Sequence, residues 1–135
     1  MVTKSYINEL SFKLIHAAIE VHKELGPGLL ESVYQKCYNH EIKSMGLSFQ
    51  TQVWVPVKYK TIELECDLRL DVIVEDLIII ELKAVELLHP VYDAQVLSYM
   101  KLLQKPKGLL FNFHSDNITK NMRTFVNDYY GTLPE

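Results

Sequence analysis

Apolar positions near the start of the chain recur at helical spacing. Leu10, Leu14, Ile15, Ala18, Ile19, Val21, His22 and Leu25 follow one stripe. Gly26-Pro27-Gly28 stops that helix. A second helix is predicted from Leu29 to about Met45, with Leu30, Val33, Tyr34, Cys37, Tyr38 and Ile42 on one face and Gly46 at its end. The period then changes. Val53, Val55 and Val57 alternate as in a strand, and Pro56 inside that run predicts an edge position or a bulge. Ile62 to Cys66 is expected to continue the same sheet. Leu68 to Val74 and Leu77 to Val85 are two further strands, joined by a tight turn at Glu75-Asp76. The run Ile78-Ile79-Ile80 implies burial on both faces. Pro90 can open a helix carrying Val91, Ala94, Leu97, Leu102 and Leu103, which ends near Lys105-Pro106. Gly108 to Phe113 reads as a strand. Asp116 or Asn117 can cap a last helix holding Ile118, Met122, Phe125 and Val126. The tail from Gly131 to Glu135 is expected to be loose. The order α-α-β-β-β-α-β-α predicts an α/β fold, a mixed sheet flanked by helices.

Composition narrows the class. The 135 residues fit one domain spanning the chain, and 48% apolar residues supply a sizeable core. A net charge of -3 argues against coating nucleic acid through bulk positive charge. It leaves room for a locally basic groove, and a carboxylate-lined metal site would itself lower the net charge. Cys37 and Cys66 are far apart and lack zinc-ligand spacing, which reads as two reduced thiols. Lys4, Asn8 and Glu9 interrupt the first residues, so no secretory signal is expected. The longest apolar run, Leu77 to Ile80, is too short to span a bilayer. The chain therefore reads as a soluble, cytoplasmic protein.

The densest chemical signal lies between Arg69 and Lys83. Asp71 stands on one strand of a hairpin, and Glu81 and Lys83 stand on the other. The strand period of two puts Glu81 and Lys83 on the same face. Charges embedded in an apolar strand are costly unless paired or bound to an ion. Two converging carboxylates repel, and a divalent cation resolves the conflict; oxygen ligands with open water positions suit Mg²⁺ or Mn²⁺. Such an ion can stabilise charge on a phosphate and acidify a bound water. The alternative is a salt bridge between Glu81 and Lys83 on a solvated face. Hairpin geometry separates the two. A strict two-residue turn at Glu75-Asp76 sets Asp71 opposite Ile80 and turns Glu81 to the other face. A third turn residue, Leu77, or a bulge sets Asp71 opposite Glu81.

Asp71, then nine residues, then Glu81-Leu82-Lys83 on a hairpin followed by a helix resembles the core of the PD-(D/E)XK nuclease superfamily. The proline of that name is absent, since Leu70 precedes Asp71. Gly28-Leu-Leu-Glu31-Ser-Val-Tyr34 is similar to the signature of the small bacterial family called GxxExxY proteins, placed in that superfamily. The stretches Glu20 to Gly28, Arg69 to Asp71, Glu81 to Glu86, Ala94-Gln95 and Leu109 to Phe113 also look like that family. The resemblance implies a restriction-endonuclease-like fold over the whole chain. It implies metal binding by Asp71 and Glu81, and a catalytic role for Lys83.

Glu31 falls in the first turn of the second helix, where the helix dipole favours a carboxylate. The resemblance adds a role as a third acidic group, acting on the metal directly or through water. Tyr34 faces the same way and either packs or bonds Glu31. Gln95 and Tyr99 share a helix face and resemble the QxxxY element of recombination helicase-nucleases, which implies substrate positioning; a buried polar pair is the alternative. None of the five histidines is assigned a role, His22 being the least settled. Lys101, Lys105 and Lys107 form a small basic cluster, and Trp54 and Tyr59 are expected to pack. Two functions follow: a metal-dependent phosphodiesterase acting on DNA or RNA, or a non-catalytic nucleic-acid- or protein-binding module on the same fold. A homodimer fits either, since so short a chain has limited surface to grip a duplex.

Overall fold

Helix α1 (Lys4–Leu25) follows the predicted stripe, and Thr3 caps it by accepting the N–H of Tyr6 at 3.0 Å. In the computed structural model, which describes residues 1–135, α1 buries Ile7, Leu10, Leu14, Ala17, Ala18 and Val21. Gly26, at φ 66°, ends the helix and donates its N–H to the His22 carbonyl. Helix α2 (Glu31–Ser44) begins at Glu31 rather than Leu29. Leu30 and Val33 are exposed, so its buried face narrows to Tyr34, Tyr38 and Ile42.

Five strands make the main sheet: β1 (Phe49–Trp54), β4 (Arg69–Val74), β5 (Ile78–Lys83), β6 (Lys107–Asn112) and β7 (Arg123–Val126). Their spatial order is β1-β4-β5-β6-β7. Helix α3 (Pro90–Leu103) connects β5 to β6, which therefore run parallel, and the other neighbours are antiparallel. The sheet is mixed and flanked by helices on both faces, as the pattern of elements predicts. Side-chain alternation divides the core in two. Val72, Val74, Ile78, Ile80 and Leu82 join α1 and α2 in one cluster. Ile73 and Ile79 join Val96, Tyr99 and Met100 of α3 in the other. All three isoleucines of the Ile78-Ile79-Ile80 run are fully buried, the expected result for a strand covered on both sides.

Several expectations are corrected. The run through Val57 is not one strand. Pro56 offers no N–H, so β1 stops at Trp54 on the sheet edge, and Val55 makes a last bond to the Leu68 carbonyl at 2.8 Å. Ile62 to Cys66 does not continue the main sheet. Its first part is β3 (Ile62–Leu64), which pairs only with β2 (Val57–Tyr59) in a separate two-stranded arm. The final helix is also absent as predicted. Asn117 Oδ1 accepts the N–H of Lys120, but the turn lasts only from Thr119 to Asn121. Arg123 to Val126 then pairs with the open edge of β6, where ladder bonds outweigh a weak helical stripe. The tail is held, not loose: helix α4 (Asp128–Gly131) turns it back, and the Lys4 N–H bonds the Pro134 carbonyl at 2.8 Å. No helix is long and apolar enough to cross a membrane. Both cysteines are free.

Candidate active site

The β4–β5 turn decides the arrangement. Glu75 and Asp76 both adopt left-handed backbone, φ 53° and 54°, and Leu77 donates its N–H to the Val74 carbonyl at 2.9 Å. Val74 then pairs with Ile78, Ile73 with Ile79, and Val72 with Ile80. Leu77 is thus the extra residue, and the register it sets brings Asp71 level with Glu81.

At that level the backbone ladder gives way to carboxylates. Glu81 Oε1 accepts the N–H of Asp71 at 3.1 Å, and Asp71 Oδ2 accepts the N–H of Leu82 at 2.8 Å. The other neighbour of β4 yields as well. Between the pairs Thr51–Val72 and Val53–Leu70, Gln52 stands opposite Asp71 in left-handed backbone, φ 50°, and does not pair with it. Asp71 therefore sits where both flanking ladders are interrupted, which frees its N–H for Glu81. Alternation along β5 places Glu81 and Lys83 with Ile79, on the α3 face, and Asp71 reaches their level from β4 through its bond to the Leu82 N–H.

Glu81 is only 3% exposed. Burial first, and then the negative charge of Asp71, push its pKa up to about 9. Lys83 makes no ion pair with either carboxylate; its ammonium lies over the Tyr92 ring of α3, 4.7 Å from the centroid. The surface pair between Glu81 and Lys83 is thus not formed. Tyr99 is 3% exposed, and burial raises its pKa, helped by the charges of Glu81 and Asp71. Gln95, one turn earlier, acts on the same hydroxyl in the opposite direction. Tyr99 is therefore within electrostatic reach of the carboxylate pair from α3, with Gln95 beside its hydroxyl.

Glu31 approaches from α2. Partial loss of water around its carboxyl group raises its pKa, Lys83 lowers it and Asp71 raises it. Those couplings place Glu31 within electrostatic reach of the hairpin. No group of three or more His, Cys, Asp or Glu side chains converges in the chain, so Glu31 does not close a three-acid cage. The donor set still fits a hard cation of the Mg²⁺ type, which is held by one or two carboxylates and otherwise by water and phosphate. Asp71 and Glu81 supply two carboxylates at one level of the hairpin.

The rest of the Gly28–Tyr34 motif is scaffolding. Tyr34 is fully buried and stacks on Phe113 with ring centroids 4.5 Å apart. Its hydroxyl donates to the Gly26 carbonyl at 2.5 Å and accepts the Leu29 N–H at 3.2 Å. It packs and pins the loop before α2, and so sets where Glu31 starts. His22 Nε2 meets the Ser115 carbonyl at 2.7 Å, which ties α1 to the loop after β6. His89 Nδ1 caps α3 by accepting the Val91 N–H. The basic cluster does not form a free strip: Lys105 pairs with Asp76 at 3.1 Å, and burial lowers the pKa of Lys107. Trp54 and Tyr59, expected to pack, are exposed.

Sequence reasoning misses three contributors. Asn112, 2% exposed, accepts the N–H of Val85 and donates to its carbonyl, fastening the chain just past Lys83. Its signal is there, as a polar residue inside the apolar run from Leu109 to Phe113. Tyr92 and Gln52 carry none: one is an ordinary helix aromatic, the other a residue type rarely found in left-handed backbone.

A sequence profile of the PD-(D/E)XK nuclease superfamily matches residues 8–125. No curated protein matches the chain, and no solved structure does. The profile match takes in Glu31, the Asp71–Lys83 hairpin and the helix bearing Gln95 and Tyr99, and the chain belongs to the PD-(D/E)XK nuclease superfamily.

Proposed function

We propose that this chain is a Mg²⁺- or Mn²⁺-dependent nuclease that hydrolyses phosphodiester bonds in DNA or RNA, and that it falls within the GxxExxY group of its superfamily. One observation carries the reading: Asp71 and Glu81 converge where the ladder between β4 and β5 is replaced by their own side chains. A purely structural hairpin gains nothing from that exchange, because it raises the free energy of an ionised Glu81.

Asp71 and Glu81 hold the cation in this proposal, with the Leu82 carbonyl as a further oxygen. When bound, the ion neutralises phosphate charge and acidifies a water. Lys83 leaves the Tyr92 ring to orient the attacking water and to offset charge on the phosphate oxygens. The water's oxygen bonds to phosphorus, the bond to the leaving oxygen breaks, and the proton passes to solvent or to Glu31. Gln95 and Tyr99 line the α3 side, where they position the substrate strand. Two copies paired by symmetry would present two such sites to one duplex.

A second reading has its own support. Lys105 is engaged and Lys107 is partly buried, so no free basic strip flanks the carboxylates. That surface favours the protein-binding form of a non-catalytic module over one that grips a phosphate backbone.

The deciding experiment titrates Mn²⁺ and Mg²⁺ into wild type and Asp71→Ala, following Tm and cleavage of labelled single- and double-stranded DNA and RNA. The nuclease reading expects metal stabilisation and cleavage together, both lost in the variant. Stabilisation without cleavage of any substrate would transfer support to the binding module.

A further inference from the structure

The β2–β3 arm stands apart from the rest of the fold. No third strand joins it, and an isolated two-stranded hairpin is marginally stable in water. Nevertheless its apolar side chains face solvent: Tyr59 is 56% exposed and Ile62 52%. Trp54, 58% exposed, stands at its base with the Arg69 guanidinium 4.9 Å above the ring. Beside it opens a cleft of about 830 Å³, lined by Trp54, Pro56 and Leu64 and by the acidic residues Glu63, Glu65 and Asp67.

Charge along the arm is polarised. The tip carries Tyr59 and Lys60, with the Lys60 ammonium 5.4 Å from the Tyr59 ring centroid, and Lys58 lies midway, opposite Glu63. Neither lysine joins any of the four ion pairs of the chain. The base carries Glu65 and Asp67, of which only Asp67 approaches a cation, Arg69, at 3.8 Å. An acidic cleft repels a phosphate backbone, so nucleic acid is the wrong occupant. A basic, aromatic segment is the right one, and this chain carries one on the same arm. A two-fold axis makes one patch serve both partners, so two antiparallel arms set each tip against the other's base.

We propose that this arm is a self-association surface: the Tyr59–Lys60 tip of each protomer seats over Trp54 of the other, between Glu63, Glu65 and Asp67. The pairing covers Trp54, Tyr59, Ile62 and Leu64 and places Lys60 of each protomer against carboxylates. It does not depend on whether the chain cleaves anything.

Charge swaps test it. Sedimentation velocity over a concentration series at low salt compares wild type, Lys60→Glu, Glu65→Lys and an equimolar mixture of the two variants. Lys58 and Glu63 stay untouched, because they oppose each other within the arm. Wild type is expected to dimerise, less so as salt rises. Each variant alone should dimerise at least about tenfold more weakly, because two attractions become repulsions. The mixture should regain the dimer, because tip and base are again opposite in both contacts. Ile62→Asp should also weaken the dimer, with circular dichroism showing every variant folded. A wild type monomeric throughout, a dimer the swaps leave unchanged, or a mixture that stays monomeric each overturns the proposal. So does a monomer whose single tryptophan responds to a Tyr-Lys basic peptide, since that assigns the cleft to another chain.

Discussion

Asp71 and Glu81 are cross-bonded through each other's strands: Glu81 Oε1 takes the Asp71 N–H, and Asp71 Oδ2 takes the N–H of Leu82, the residue after Glu81. Each carboxyl group thereby anchors the other's strand, and burial beside the Asp71 charge discourages Glu81 from ionising. The metal-free folded state keeps the Glu81 proton until about pH 9, whereas the unfolded chain loses it near pH 4.5. Between those values the folded state binds more protons, so stability falls as pH rises. The loss has an upper bound of about 3 kcal/mol by pH 7. Urea unfolding without metal from pH 5 to 8 should show that decline. Glu81→Gln keeps an acceptor for the Asp71 N–H and should flatten the curve. Mn²⁺ should stabilise wild type more at pH 8 than at pH 5.5 and release a proton on binding, measurable by calorimetry in buffers of different ionisation enthalpy.

Asn112→Ala should destabilise the protein by about 2 to 4 kcal/mol, because it strands the N–H and C=O of Val85 in a partly buried turn. Equilibrium unfolding gives the magnitude. Asn112→Asp separates the roles: it retains an acceptor for Val85 and His114 but loses the donor and adds a charge, and it should cost at least as much.

Gly108→Ala is expected to disturb α3. A methyl group there would lie 2.6 Å from Val96 Cγ1 and 2.8 Å from Met100 Sδ. The helix must move outward or its side chains must leave their rotamers, at about 1 to 3 kcal/mol. Tyr99 lies between those two contacts in the sequence, so the quenching or enhancement of its fluorescence on Mn²⁺ addition should change as well. An unaltered Tm would show that Met100 simply swings aside.

Gln52→Gly should raise stability by about 0.5 to 1 kcal/mol, because glycine adopts the φ of 50° without strain. Gln52→Val should lower it by more than about 1 kcal/mol. If the interrupted ladder opposite Asp71 matters to the carboxylate pair, the valine variant will also bind Mn²⁺ more weakly, while the glycine variant will not.

The elements that read clearly were those in which local pattern and tertiary demand agree. The stripe of α1, the isoleucine run of β5 and the Pro90 start of α3 each have one stable arrangement. Misreadings fell where the fold overruled the local pattern. Ile118, Met122 and Phe125 carry helical spacing, yet β6 had an unfilled edge, and Arg123 to Val126 took it. Val57 carries strand alternation with Val53 and Val55, yet Pro56 ends the ladder and releases the arm. Within the site, Asp71, Glu81 and Lys83 stood out as charges in an apolar context. Tyr92 and Gln52 did not, since a cation resting on a ring and a left-handed residue inside a strand are properties of three-dimensional placement.

Leu77 gives the hairpin an arithmetic quality. Removing one residue from that loop would exchange the two faces of everything downstream in β5, sending Glu81 and Lys83 toward α1 and α2 and isoleucines toward the carboxylate of Asp71. Ordinary substitutions in the loop leave this parity alone, whatever they do to turn stability. The loop should therefore tolerate changes of residue but not of length by one, a frameshift rule operating in space rather than in the genetic message.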